Sequence, residues 1–554
     1  MNNTTVPDPD TGAGPIGEAE AEEHVSGICF KHGPPRRVGI ELEWLVHDAH
    51  DPARPVAPDR LTAALAAAGT RPLSGAMTLE PGGQWELSSA PGESLGRCLD
   101  ETERDLDRMR AAAAAAGLRL VGFGTEPDLP PERTLHLPRY AAMEEFFDRS
   151  GRWGRVMMCS SASVQVNLDA GLAPGGPLGQ RERWDLLHGL APVLVAAFAN
   201  SPLLRGRPTG WRSTRQAVWA RLDAGRTLAP ALPARAAGTG ADGAGLTDLR
   251  TAWTDYVLNA HVLCIRRPDG PWTVPRGLTF RDWLRAAGPD RPTRADLDYH
   301  LSTLFPPVRP RGHFELRVVD AQQGDAWQVV AALVTALLDD PAAADAARAA
   351  LEPLRAVGEP GTAQPGSVTA ADTGPRSPLW LRAARLGLSD PDLQAAAETC
   401  FDLALAALPR LAAPARATET VAEFAERYVR RGRCPADDLL ETRTGTEVRT
   451  GSDGRTGSDG RTGPTHVVAW PARADRTEQA DRGEAADHAD HAGRSDRLAP
   501  ADRADHADHA GRSDRLDPVD RSVHADRSDH ADRTAGSDRA ARPEPRRAEE
   551  ISWS

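Results

Sequence analysis

Cysteine is scarce. The 554 residues carry six, spread from Cys29 to Cys434, with no C-x-x-C pair among them. That spacing excludes a dense disulfide framework and suits a reduced, cytosolic chain. Long apolar runs are missing too. The most apolar stretch, "GLAPVLVAAFANSPLL", is interrupted by Pro192, Asn200 and Pro202 and is too short to span a bilayer. The first residues, "MNNTTVPDPDTGAGPIGEAEAEEH", lack the basic start and apolar core of a signal peptide. Positive charge is in deficit: a net charge of −13 argues against a nucleic-acid binder, which usually shows a basic stripe. G-x-x-x-x-G-K-[ST], G-x-G-x-x-G between strand and helix, and H-E-x-x-H are absent. The expectation is a soluble cytoplasmic protein with no membrane or nucleic-acid partner and no evident obligate protein partner.

Hydrophobic residues make up 40% of the chain, a modest share with a local cause. From residue 441 to 554 the sequence is nearly all Asp, Arg, Ala, Gly, Ser, Thr and His, with "GSDGRT" and "ADHADHAGRSDRL" each repeated. Such a segment buries too little surface to offset its ordering entropy and is expected to be disordered. Its His/Asp pairs read as solvated filler rather than as a metal site. Residues 1–33 read as a flexible leader with a short helix near 18–30, leaving 34–440 as the globular part. Helices are expected at 99–117, closed by Gly117, and at 181–200, 325–340, 390–411 and 420–432. Two Gly/Ala/Pro-rich stretches, 230–247 and 356–378, read as surface loops, the first a candidate lid.

What is present is a recurrent pattern of strands with one acidic or amide-bearing side. In "VGIELEWLV" (38–46), Ile40, Leu42 and Trp44 alternate with Glu41 and Glu43. "MTLEPGGQWELSS" (77–89) reads as a hairpin carrying Glu80 and Glu86 about a Pro-Gly-Gly turn. "SASVQVNLD" (161–169) turns Gln165 and Asn167 one way and Val164, Val166 and Leu168 the other. "GHFELRVVD" (312–320) sets Glu315 and Arg317 against Phe314, Leu316 and Val318. One such strand is ordinary for a half-exposed antiparallel sheet. Four with the same oxygen-rich side are not: like charges side by side destabilise a strand, and a divalent cation relieves the repulsion. Oxygen ligands suit Mg²⁺ or Mn²⁺ rather than zinc. Magnesium held by several carboxylates serves phosphate chemistry, with arginines completing the clamp. "RGRPTGWRSTRQAVWARLD" (205–223) supplies Arg212, Arg215, Trp219 and Arg221. The fold class is α+β, with a mostly antiparallel sheet whose apolar face packs on helices.

"GIELEWLV", "TLEPGGQWELSSAP", "FGTEPD", "RYAAMEEFF", "CSSASVQVNLD", "ANSPLLRGRPTGWRSTRQAVW" and "FELRVVDAQ" together resemble the glutamate–cysteine ligases of the carboxylate–amine ligase superfamily, and "RYVRRGRCPADDLL" (427–440) is similar to the bacterial branch serving ergothioneine biosynthesis. The resemblance implies a curved sheet like that of glutamine synthetase and guanidino kinases, cradling ATP and two or three Mg²⁺. It implies ATP-dependent joining of the glutamate γ-carboxylate to the cysteine amine through a γ-glutamyl phosphate. By the same resemblance, Glu41, Glu43, Glu80, Glu86 and Glu315 are metal ligands and Arg317 stands near the transferring phosphate. Arg215 lies near the substrate glutamate or a phosphate, with Trp219 beside it. Gln165 and Asn167 occupy the strand where some branches place a histidine. A ligase for another amine, a guanidino-kinase-like phosphotransferase and a metal-binding scaffold are the alternatives.

Overall fold

The computed structural model describes residues 14–70, 72–172, 175–230, 232, 244–288, 290–355 and 374–451. Most of the 230–247 and 356–378 stretches, and the repeats beyond residue 451, lie outside the described residues.

Among the described residues nine strands are present: β1 Val38–Asp48, β2 Ala76–Leu79, β3 Trp85–Ser88, β4 Leu118–Val121, β5 Ser163–Asp169, β6 Leu203–Leu204, β7 Arg207–Pro208, β8 Val308–Pro310 and β9 His313–Asp320. β6 and β7 form a small separate ladder. The other seven make one open sheet in the order β2-β3-β1-β5-β9-β8, with β4 pairing the second half of β1. Every pairing is antiparallel. β1 is the centre because it is long: its first half lies between β3 and β5, and residues Leu45 to Asp48 continue alongside β4.

Alternation sorts the side chains as the sequence implies. Ile40, Leu42 and Trp44 of β1, Val164, Val166 and Leu168 of β5, and Phe314, Leu316 and Val318 of β9 are buried in one core. The helices Leu95–Ala115, Gln180–Ala197 and Trp327–Asp339 pack on that face. Trp184 meets Phe314 edge-on, with ring centroids 5.6 Å apart. Each large apolar side chain buried there contributes roughly 1.5–3 kcal/mol, so a sheet with one polar face still has an ample anchor on the other.

Local signals explain the boundaries. The Leu95–Ala115 helix starts earlier than residue 99 because Ser94 caps it, its hydroxyl accepting from the Arg97 N–H at 3.3 Å. Gly117 follows its end at φ +67°, a conformation only glycine adopts cheaply. In the β2–β3 turn, Gly83 has φ +92° and a Cβ on Gly82 would stand 2.1 Å from the Cys159 carbonyl oxygen. Both glycines are therefore required where the turn seats on the neighbouring chain.

Two expected boundaries move. The segment read as a leader contains the helix Glu18–Cys29, whose Ala21, Val25 and Cys29 are buried. Glu18 pairs with Arg285 at 2.7 Å, and the Ile16 N–H donates to the Pro292 carbonyl at 3.0 Å. An apolar stripe hidden within a run of glutamates makes this part of the packed fold. At the other end, the helix Pro435–Gly451 runs straight through residue 440, with Glu441 paired to Arg433 and Arg443 to Asp128. All six cysteines are buried and unpaired. Among the described residues no helix is long and apolar enough to cross a membrane.

Candidate active site

Strand register assembles the polar face. Glu43 lies opposite Glu86 and Glu41 opposite Ser88 across β1–β3, and Glu41 lies opposite Gln165 across β1–β5. Asn167 is opposite Glu315 across β5–β9, and Arg309 is opposite Glu315 across β8–β9. The β5–β9 ladder shifts register between Val164 and Val166. Such an irregularity re-aims a side chain. Here Gln165 donates to Glu43 at 3.0 Å while its carbonyl accepts from Arg317. Asn167 donates to Glu41 at 3.3 Å, and the Ser88 hydroxyl donates to Glu86 at 2.8 Å.

Glu80 stands at the foot of the β2–β3 turn, within hydrogen-bonding reach of Glu86. The four acids Glu41, Glu43, Glu80 and Glu86 are half-buried, and Glu43 and Glu80 line a cleft. Burial pushes the Glu41 carboxyl up to about 7, and the negative charges of Glu315 and Glu86 add to the effect. Glu43 is raised by burial and then by Glu86, and Glu80 well above the usual range by burial, Glu86 and Glu43. These acids are crowded and short of positive charge.

Glu315 is different. It is fully buried, and burial alone would raise it, but the Arg309 and Arg317 guanidiniums hold it well below the usual carboxylate range. Arg309 donates from Nε to Oε2 at 2.6 Å and from Nη2 to Oε1 at 2.8 Å, and Arg317 also donates to Oε1. Arg317 thus bridges Gln165 and Glu315. Its own positive charge is disfavoured by burial but secured by Glu315, Glu41 and Glu43.

Arg215 enters from the short helix Thr214–Trp219. Its guanidinium donates to the Arg317 carbonyl at 3.0 Å and lies 4.5 Å from the centre of the Trp219 ring, a cation–π stack. A cleft of about 150 Å³ runs from this stack to the acids. Glu43, Glu80, Arg139, Tyr140, Arg215 and Arg317 line it, with three methionines and Phe305 on its apolar side.

Of the sequence-predicted residues, Glu41, Glu43, Glu86, Gln165, Asn167, Glu315 and Arg317 lie on the strands of one sheet, and Glu43, Glu80, Arg215, Trp219 and Arg317 line one cleft, with two departures. First, among the described residues no three His, Cys, Asp or Glu side chains stand close enough together to hold a metal ion between them. Second, Glu315 spends both oxygens on arginines instead of joining the other acids. The donor chemistry of Glu41, Glu43, Glu80 and Glu86 still fits a hard divalent cation: three of them are raised by burial and mutual repulsion, and the buried Asn167 Oδ1 makes no hydrogen bond within the protein. Sequence reasoning missed Arg309, Arg139, Tyr140 and Asp320. Arg309 sits between Pro307 and Pro310, where strand periodicity gives no signal.

A one-sided antiparallel sheet with an acid-lined face, two arginines at its edge and a third in the adjoining cleft defines an enzyme that brings anionic substrates together. The chain belongs to glutamate–cysteine ligase family 2, whose model matches residues 37–458. It is 39% identical over 424 residues to the glutamate–cysteine ligase EgtA of Mycolicibacterium smegmatis, covering 76% of this chain and 90% of that one. It is 38% identical over 427 residues to the EgtA of Mycobacterium tuberculosis, covering 76% and 88%. A solved structure, a glutamate–cysteine ligase of Francisella tularensis in complex with AMP, aligns at a TM-score of 0.40 and 13% identity over 74% of this chain and 85% of that one.

Proposed function

We propose that the chain is an ATP-dependent glutamate–cysteine ligase that forms γ-glutamylcysteine through a γ-glutamyl phosphate, supplying low-molecular-weight thiol synthesis of the ergothioneine type in the cytoplasm. The observation that carries the reading is the meeting of acids and arginines in one cleft. Glu43, Glu80, Arg215 and Arg317 line it, and Glu41 and Glu43 help secure the charge of Arg317.

The chemistry explains why both signs are needed. A carboxylate is a poor electrophile, so its oxygen must first be phosphorylated by ATP. That step brings two anions together. Arg317, held by Gln165 and Glu315, supplies a fixed cation toward the transferring phosphoryl group. Arg215 holds the glutamate carboxylate from the cleft wall, backed by Trp219. Glu41, Glu43, Glu80 and Glu86 would hold two or three Mg²⁺, for which Mn²⁺ is a chemical substitute. When bound, the metal neutralises phosphate charge and orients the nucleotide. The cysteine amine then attacks the acyl carbon and phosphate leaves. The apolar side of the cleft keeps water from competing for the activated carbonyl.

ADP release tests this directly. The reading requires release with ATP and Mg²⁺ that depends on glutamate and cysteine together. Release that demands another amine in place of cysteine would select a related ligase, and phosphorylation of a guanidino acceptor would select the phosphotransferase.

A further inference from the structure

Asp320 closes β9 and is fully buried, yet it lies outside the acid face. Its carboxylate collects four groups from the 200–215 loop. Oδ2 accepts from the Asn200 N–H at 2.9 Å and from the Ser201 hydroxyl at 2.7 Å. Oδ1 accepts from the Ser213 hydroxyl at 3.0 Å and faces Arg215 Nη1 at 3.8 Å. The grip on Arg215 is double. Its backbone N–H donates to Ser201 Oγ at 3.2 Å, the same hydroxyl that donates to Asp320. Ser213 in turn caps the Arg215 helix, its oxygen accepting from the Gln216 N–H at 3.2 Å. Gln216 then ties that helix to the Val318 carbonyl at 2.6 Å.

The carboxylate has no room to shift. A Cβ on Gly124 would stand 2.4 Å from Asp320 Cγ, so the chain packs glycine directly on it. A buried charge so enclosed is retained at a cost, because burial pushes its carboxyl up against the pull of Arg215.

We propose that Asp320 is a positioning residue that sets both the backbone and the guanidinium of Arg215, and thereby the enzyme's affinity for glutamate. This rests on the reading of Arg215 as the glutamate-binding arginine.

Asp320→Asn keeps the size and one acceptor oxygen but loses the charge. Calorimetric titration of the full-length variant with glutamate should show affinity weakened about 10- to 100-fold, the range for a lost hydrogen bond to a charged group. The KM for glutamate should rise in parallel, while the KM for ATP stays close to wild type. Unchanged glutamate affinity in the folded variant, or equal weakening toward ATP, would overturn the proposal. If Asp320→Asn does not fold, Ser201→Ala decides, since it removes only the hydroxyl joining Asp320 to the Arg215 N–H. It should weaken glutamate selectively by a smaller factor, and no selective loss would count against the proposal. Wild-type protein that binds no glutamate at all would sink the reading of the cleft itself, and the proposal with it.

Discussion

Arg309 and Glu315 face each other across the β8–β9 hairpin as a two-pronged pair, Nε to Oε2 at 2.6 Å and Nη2 to Oε1 at 2.8 Å. Both are buried, and Arg317 shares one of the carboxylate oxygens. Removing one member of a buried pair leaves an uncompensated charge, at a cost of about 3–5 kcal/mol. Arg309→Ala should therefore lower the unfolding free energy measured by urea titration by an amount near the low end of that range, since Arg317 remains. A variant as stable as wild type would show the pair to be energetically idle.

The acid face should behave in the opposite sense. Glu43 and Glu80 are raised by burial and by neighbouring carboxylates, so neutralising either relieves strain. Glu43→Gln and Glu80→Gln should melt at or above the wild-type temperature without divalent cations, yet turn over at least about 100-fold more slowly with them. Wild-type protein should gain stability on adding Mg²⁺, by mass action on the folded state. The Gln variants should lose most of that gain. A variant with full turnover would remove its carboxylate from the site.

Arg317→Lys should fail despite keeping its charge. One Arg317 nitrogen reaches both Gln165 and Glu315, and an ammonium does not reproduce the planar guanidinium fork. Turnover should fall by about two orders of magnitude or more, a loss of the size seen when a preorganised charge-stabilising donor is removed. Steady-state kinetics with near-normal turnover would exclude Arg317 from the phosphoryl transfer.

Much of this site was readable from the chain alone because alternation along a strand assigns faces without any knowledge of partners. Glu41, Glu43, Gln165, Asn167, Glu315 and Arg317 fall on the predicted side for that reason. Which partner each one meets was not readable. Glu315 has the same parity as the other acids, and only the register of β8 shows that Arg309 occupies it. β8 itself is three residues long between prolines, too short for periodicity to register. The helix near 18–30 was readable, but its place in the packed fold was not: its buried residues are Ala21, Val25 and Cys29 among many glutamates, so composition outweighed pattern.

Acid should destabilise the fold through two buried histidines. Burial lowers His188 to about 4 and His300 to about 3, against about 6.5 for a free imidazole. His188 Nδ1 donates to the Trp184 carbonyl and His300 Nε2 to the Val257 carbonyl, each at 2.9 Å. As pH falls below about 6.5 the unfolded chain takes up protons that the folded chain refuses, so stability drops. For His188 the loss continues to about pH 4, and for His300 toward about pH 3. Above neutrality neither contributes a slope. Melting temperatures of His188→Leu should depend less steeply on pH between about 6.5 and about 4, and an unchanged slope would refute the assignment.

Truncations should separate the C-terminal helix from the repeats beyond it. Arg212 donates to Asp437 at 2.6 Å, and Leu439 packs beside Leu45 and Phe123. Ending the chain after residue 433 should therefore destabilise the protein and disturb the loop that carries Arg215. Ending it after residue 451 should leave kcat and KM within about twofold, a change too small to matter when a tenfold effect is about 1.4 kcal/mol. A collapse of activity in the longer truncation would give the repeats a role in catalysis.

The sequestered cysteines carry a consequence for an enzyme proposed to consume one thiol and release another. Only a thiolate attacks a disulfide or is captured by one. Burial lifts Cys29 to about 11 and Cys159 and Cys400 to about 12, and raises Cys98, Cys264 and Cys434 as well. None is both ionised and reachable near neutral pH. Cystine formed by stray oxidation of the substrate has no handle on the catalyst, which stays chemically deaf to the sulfur exchange going on around it.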